Sequence, residues 1–172
     1  FFKCDLTIDR DYNKFILFLK KRKIFFDIIV HNLGGNPGIS NNNSEIEDWK
    51  KLWDLNVGVA IKINNDLLPF MLKKKWGRIV HISSNSVENS GNQWQPHGGS
   101  APYSASKSYL NQYIKNIGRE YANKGIVISG IMPGVMKNKE SGWSRMKKNS
   151  PSKFKNYINN FIPMGRFANF NE

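Results

Sequence analysis

Three short apolar runs interrupt this chain, and each stops abruptly on small or polar residues. Asp27-Ile28-Ile29-Val30-His31-Asn32-Leu33-Gly34-Gly35 ends on a glycine pair. Gly77-Arg78-Ile79-Val80-His81-Ile82-Ser83-Ser84 ends on two serines. Ile126-Val127-Ile128-Ser129-Gly130-Ile131-Met132-Pro133-Gly134 stops at Pro-Gly. Runs of this length, rich in β-branched residues and closed by turn formers, read as buried strands whose ends feed a site.

Helical patterns separate them. Asp11 to Lys23 reads as an amphipathic helix leading into the first run, and Phe1 to Thr7 as the tail of a preceding strand. Ser44-Glu45-Ile46-Glu47 has the capping-box pattern that opens a helix. That helix is expected to reach about Leu72, with Leu52, Asn56, Ala60, Ile63 and Leu67 on one face. Asn56 is polar within an apolar stripe, so it needs partners once buried. Bonding to backbone for structural reasons alone would satisfy it equally well.

The third helical stretch opens with Ser100-Ala101-Pro102-Tyr103-Ser104-Ala105-Ser106-Lys107 and continues through Leu110, Ile114, Ile117 and Tyr121. Proline is tolerated there because the first amides of a helix lack intrahelical partners. Tyr103 and Lys107 are four residues apart and share a face. A phenol titrates near 10, and a neighbouring ammonium draws that value toward the working range of a general acid–base. A helix that merely carries Tyr and Lys at this spacing would look the same.

Taken in order, the strand ending at Asn32-Leu33-Gly34, the helix asparagine in Asp54-Leu55-Asn56-Val57, Ile82-Ser83-Ser84, Tyr103-x-x-x-Lys107 and Pro133-Gly134 resemble the short-chain dehydrogenase/reductase family. The resemblance covers nearly the whole chain. It implies an α/β fold: a Rossmann-like, doubly wound parallel sheet in three α/β/α layers. Residues 1–172 would form one partial domain, from the third strand to the substrate-side segment, lacking the first β-α-β unit and the last strand. In dinucleotide-binding folds that first unit carries the glycine-rich turn on which the pyrophosphate rests. A polypeptide of Phe1 to Glu172 alone is accordingly expected to bind the cofactor poorly.

The same resemblance implies an NAD- or NADP-dependent oxidoreductase. Tyr103 would exchange a proton with the substrate oxygen, and Lys107 would tune Tyr103 and hold the nicotinamide ribose. Ser84 would orient the substrate, while a backbone carbonyl near Asn56 would hold a water in the proton relay. Asp5 and Leu6 match a position beside adenine. Asn32, Leu33 and Gly34 match the Asn-Ala-Gly stretch, Ile82 is a further cofactor-binding residue, and Pro133, Gly134, Val135 and Met136 match the nicotinamide-side loop. His31 and Leu33 depart from the family pattern, as does Asn138 where many members have threonine. Ser83 would face the other way from Ser84, because side chains alternate along a strand.

Nineteen positions separate Ser84 from Tyr103, and the surplus lies in the polar, Gly-rich segment 88–99. Trp94, His97 and Trp143 are candidate substrate contacts, with His97 also readable as a plain surface residue. The motif combination looks like members from bacterial surface-sugar pathways. A 3-oxoacyl-carrier-protein reductase and a catalytically silent remnant are the alternatives.

With 172 residues and a 40% hydrophobic content the chain can bury one core. The net charge of +13 raises nucleic acid as a partner. However, the clusters Lys20–Lys23 and Lys73–Lys75 fall at expected helix C-termini, where cations offset the macrodipole. We read no nucleic-acid partner, no metal and no membrane span. One cysteine, Cys4, fits a reducing cytoplasm. The two long helices resemble those through which family members form dimers and tetramers.

Overall fold

The computed structural model describes residues 1–87, 100–136 and 142–172. Its centre is a parallel sheet of three strands, β1 (Ile28–His31), β2 (Gly77–Ile82) and β3 (Ile126–Ile131), in the order β1-β2-β3. Register places Ile29 beside Ile79, His31 beside His81, and Ile82 beside Ile131. All three expected strands are present, each ending at the polar or glycine residues that stop it.

The first helix, α1 (Asp9–Arg22), buries Tyr12, Ile16 and Leu19 on one stripe and carries Lys20, Lys21 and Arg22 in its last turn. Upstream, Phe1 to Thr7 is not a strand. The Asp5 carboxylate there accepts bonds from the Thr7 amide (2.9 Å) and hydroxyl (2.7 Å), and such a local side-chain turn competes with extended pairing.

The helical region after β1 comes in two pieces. α2 (Ile46–Trp53) and α3 (Val59–Lys74) are joined by one wide π-helical turn at Asp54–Gly58. The expected capping box does not form. Ser44 instead donates its hydroxyl to the Asn41 carbonyl (2.5 Å), and no side chain caps the helix after Glu45.

α4 (Ala101–Tyr121) follows β2 and ends in a short 3-10 turn, Ala122–Lys124. Gly125 then turns the chain into β3 at a φ of 83°. A Cβ there would lie 2.0 Å from the Lys75 carbonyl oxygen, so glycine is required. Two short helices, α5 (Gly142–Asn149) and α6 (Pro151–Phe161), close the described chain.

The core lies between the sheet and the helices. Leu68 and Met71 of α3 and Leu110 and Ile114 of α4 meet Ile79, Ile126 and Ile128 of the sheet. A second cluster joins Tyr12, Ile16 and Leu19 to Val59, Ile63 and Leu67. Each such side chain contributes about 1.5–3 kcal/mol on burial. The described residues thus form the sheet and one helical layer. The alternate positions Ile28, Val30, Val127 and Ile131 point to the other face and are exposed.

Candidate active site

The carboxyl ends of the strands converge on α4. One turn inside that helix, Lys107 is buried, with 3% of its surface exposed. Its ammonium donates to the Ile82 carbonyl at 2.9 Å, where β2 ends. Burial pulls its pKa down to about 8. Tyr103 lies one turn earlier, its ring centroid 6.0 Å from that ammonium.

The Ser84 hydroxyl lies close enough to the Tyr103 phenol to favour its ionised form. It also accepts from the Ser86 amide at 3.1 Å. Ser83 is buried on the opposite side, as alternation along the strand requires. Tyr103 differs from the expectation in one respect. Burial raises its pKa above the ordinary phenol value, and only the Ser84 hydroxyl opposes that rise.

Asn56 sits inside the π turn and is 2% exposed. Its Oδ1 accepts from the Gly35 amide (2.8 Å), while Nδ2 donates to the carbonyls of Gly35 (3.0 Å) and Leu52 (3.0 Å). The side chain thereby ties α2 to the loop after β1. Gly34 passes so close that a Cβ would lie 2.8 Å from Asn56 Oδ1 and 3.0 Å from Lys107 Nζ. Four separate stretches therefore meet here: Gly34-Gly35, Asn56, Ile82 to Ser84, and Tyr103 with Lys107.

The other expected residues are placed as follows. Asp5, Leu6 and Leu33 line one cavity of about 790 Å³, together with Lys50, Lys51 and Asp54 of the helical region. Asn32 is exposed just past β1. The Pro133 carbonyl accepts from the Asn85 amide (3.3 Å), joining the loop after β3 to the end of β2. Gly134 is exposed, the Val135 carbonyl accepts from Ala168 (3.1 Å), and Met136 pairs with Ala168. Trp143 packs on Tyr157 (4.4 Å) and Phe167 (5.4 Å) in an aromatic cluster of its own. Trp94, His97 and Asn138 lie outside the described residues. Among the described residues no cluster of His, Cys, Asp and Glu could hold a metal, and no helix is long and apolar enough to cross a membrane.

Two arrangements escaped the sequence reading. In the interior, where β1 pairs with β2, the His31 and His81 rings stack at 4.4 Å, and His31 bonds Asn64 at 2.8 Å. Asn64 in turn donates to the Tyr113 hydroxyl at 3.0 Å. The signal was present, because Ile-Val-His occurs at 29–31 and again at 79–81. Secondly, α4 is capped from a distance. Asn42 Oδ1 accepts the Ala101 amide (2.9 Å), and Asn36 donates to the buried Ser100 hydroxyl (3.2 Å).

A sequence model described as short chain dehydrogenase matches residues 1–149. The 3-oxoacyl-acyl-carrier-protein reductase of Buchnera aphidicola is 30% identical over 148 residues, covering 86% of this chain and 56% of that protein. The 2-dehydro-3-deoxy-L-rhamnonate dehydrogenase (NAD(+)) of a Sphingomonas species is 28% identical over 123 residues, covering 72% and 45%. The chain thus spans about half the length of the curated relatives it matches. Among solved structures, a 3-oxoacyl-acyl-carrier-protein reductase from Agrobacterium tumefaciens with NADP bound superposes with a TM-score of 0.78 at 21% identity, covering 96% of this chain and 60% of that one. A reductase of the same description from Brucella melitensis, with bound NAD, gives 0.75 at 20% identity, covering 98% and 58%.

Proposed function

Because the chain belongs to the short-chain dehydrogenase family, we propose that it carries the catalytic and nicotinamide-side part of an NAD(P)-dependent oxidoreductase that interconverts a hydroxyl and a carbonyl. The observation that carries this reading is the buried Lys107 ammonium, held by the Ile82 carbonyl at 2.9 Å and 6.0 Å from the centre of the Tyr103 ring one turn earlier. A hydroxyl pair at the rim of a site, backed by a sequestered ammonium, has few uses outside proton transfer to an oxygen.

The residues fit such a cofactor. Gly34 leaves bare backbone beside Lys107 and Asn56 where any side chain would collide. Asp5, Leu6 and Leu33 already line a common cavity. Asn32, Leu33 and Gly34 would hold the adenosine side, and Pro133 to Met136 the nicotinamide side. When bound, the cofactor supplies or accepts the hydride.

The chain's own groups supply the rest. Tyr103, with its raised pKa, remains protonated at neutral pH and can donate to a carbonyl oxygen. Ser84 can donate to the same oxygen and fix its direction. Lys107 has three donors, of which Ile82 takes one. The others remain for ribose hydroxyls. Asn56 holds Gly35 in place and so keeps the cofactor-side loop against Lys107.

A sugar or sugar acid is one substrate class, matching the Sphingomonas relative. A 3-oxoacyl thioester on an acidic carrier protein is the second, and the reductases among the relatives favour it. The exposed Arg145, Lys147 and Lys148 on α5 and the overall charge of +13 suit an acidic carrier. The exposed rings of Trp53 and Tyr109, 5.9 Å apart across α2 and α4, suit association of copies through these helices. A sedimenting monomer at micromolar concentration would contradict that association. The function itself is tested by oxidation of NADH and NADPH with a β-keto thioester and with keto-sugar acids. Turnover lost in Tyr103→Phe supports the reading, and equal turnover in the variant overturns it.

A further inference from the structure

Two of the three histidines in this chain face each other in the closed interior. Parallel pairing of β1 with β2 aligns them, and their rings stack at 4.4 Å with planes 18° apart. The His31 Nε2 is 2.8 Å from Asn64 Oδ1, and Asn64 commits its amide nitrogen to Tyr113. Nε2 of His31 is therefore the protonated nitrogen of a neutral ring. His81 is 0% exposed, and the Tyr113 ring stands edge-on to it with centroids 6.0 Å apart. Neither of its ring nitrogens has a hydrogen-bond partner.

A fully buried imidazole without partners is a costly thing to keep in a core. Its position gives it a use. The residue after His81 is Ile82, whose carbonyl holds the Lys107 ammonium. The charged and titratable groups facing the stack are Lys107 and Tyr113, both from α4, while α3 contributes the neutral amide of Asn64.

We propose that the His31–His81 stack is a positioning element for Lys107: neutral, it leaves the ammonium on the Ile82 carbonyl, and a proton on it drives the ammonium from Ile82 and stops turnover. Two cations in a water-excluded space repel far more strongly than at the surface. Burial, His31 and Lys107 all act to keep His81 unprotonated, and burial does so for His31. The proton therefore arrives at His81 only in strong acid, its pKa being pushed down from the ordinary 6.5 to about 3. The proposal rests on the oxidoreductase reading for its activity readout.

Carbonyl reduction provides the clean test, because Tyr103 and Lys107 are both protonated from neutral to acid pH. Neither gives an acid limb in that direction. The wild-type kcat should fall about tenfold per pH unit as the pH approaches about 3, while circular dichroism shows the fold intact. In the His31→Asn/His81→Asn double variant the profile should run level across that range, whatever its height. A purely structural role would change the height and leave the limb. An unchanged limb, or one that tracks unfolding, overturns the proposal.

A second arm needs neither activity nor a folded double variant. Histidine ring signals followed by NMR should show His81 titrating at higher pH in Lys107→Met than in the wild type. Identical titrations overturn the coupling. Failure of all turnover with this shift intact would instead count against the oxidoreductase reading.

Discussion

Replacing Gly34 by alanine separates backbone strain from contact within the site, provided Gly35→Ala is made beside it. Gly34 and Gly35 both have positive φ, 153° and 133°. An alanine at either position costs roughly 1–3 kcal/mol of backbone strain. Their surroundings differ. At Gly35 a Cβ meets nothing within 4 Å, whereas at Gly34 it lies 2.8 Å from Asn56 Oδ1 and 3.0 Å from Lys107 Nζ. One of those groups must move.

If Asn56 moves, its bonds to the Gly35 backbone weaken in a buried place, at about 1–3 kcal/mol. If Lys107 moves, its charged bond to Ile82 is lost, at about 1.5–3 kcal/mol. Gly34→Ala should therefore be about 1–3 kcal/mol less stable than Gly35→Ala. For a chain of this size that is roughly 2–12 °C in Tm. Scanning calorimetry of both variants reads the difference, and turnover should fall more in Gly34→Ala. If the two melt within about 1 °C of each other, the crowding of Gly34, Asn56 and Lys107 is wrong.

Tyr103→Phe should lower kcat by about 100-fold or more, as loss of a general acid does, with Tm nearly unchanged; a rate within threefold of wild type would remove Tyr103 from proton transfer. Asn42→Ala removes the Ala101 cap and should cost about 0.5–2 kcal/mol, with Asn42→Asp restoring stability, so a failure of aspartate to rescue would show that the cap is not what Asn42 supplies. Lys107 yields a pH prediction. Its folded pKa of about 8 is below the unfolded 10.5, so the unfolded chain binds the proton more tightly between those values. Stability contributed by Lys107 thus rises with pH through that window, by about 2–3 kcal/mol from pH 7 to 10. Urea titrations at both pH values should show this rise in the wild type and not in Lys107→Met; parallel curves would mean that the ammonium is not desolvated.

The sequence by itself determined what depends on neighbours within a few residues. β-Branched runs with abrupt stops marked all three strands, and the i,i+4 spacing put Tyr103 and Lys107 on one face of α4. Alternation along β2 separated Ser84 from Ser83. One local signal lost to another at Ser44, whose hydroxyl went to Asn41, three residues back, rather than to a helix amide, and local signals were silent where a distant partner decided. The π turn at Asn56 was invisible for the same reason, because the contacts that tie its side chain across the fold, to Gly35, lie 21 residues away. Tertiary structure alone decided that Asn42 would cap a helix 59 positions later, and that the two Ile-Val-His segments would lie side by side. Register between parallel strands is set by the packing of the helices that connect them. Until β1 and β2 pair, His31 and His81 are 50 residues apart with nothing local to bring them together.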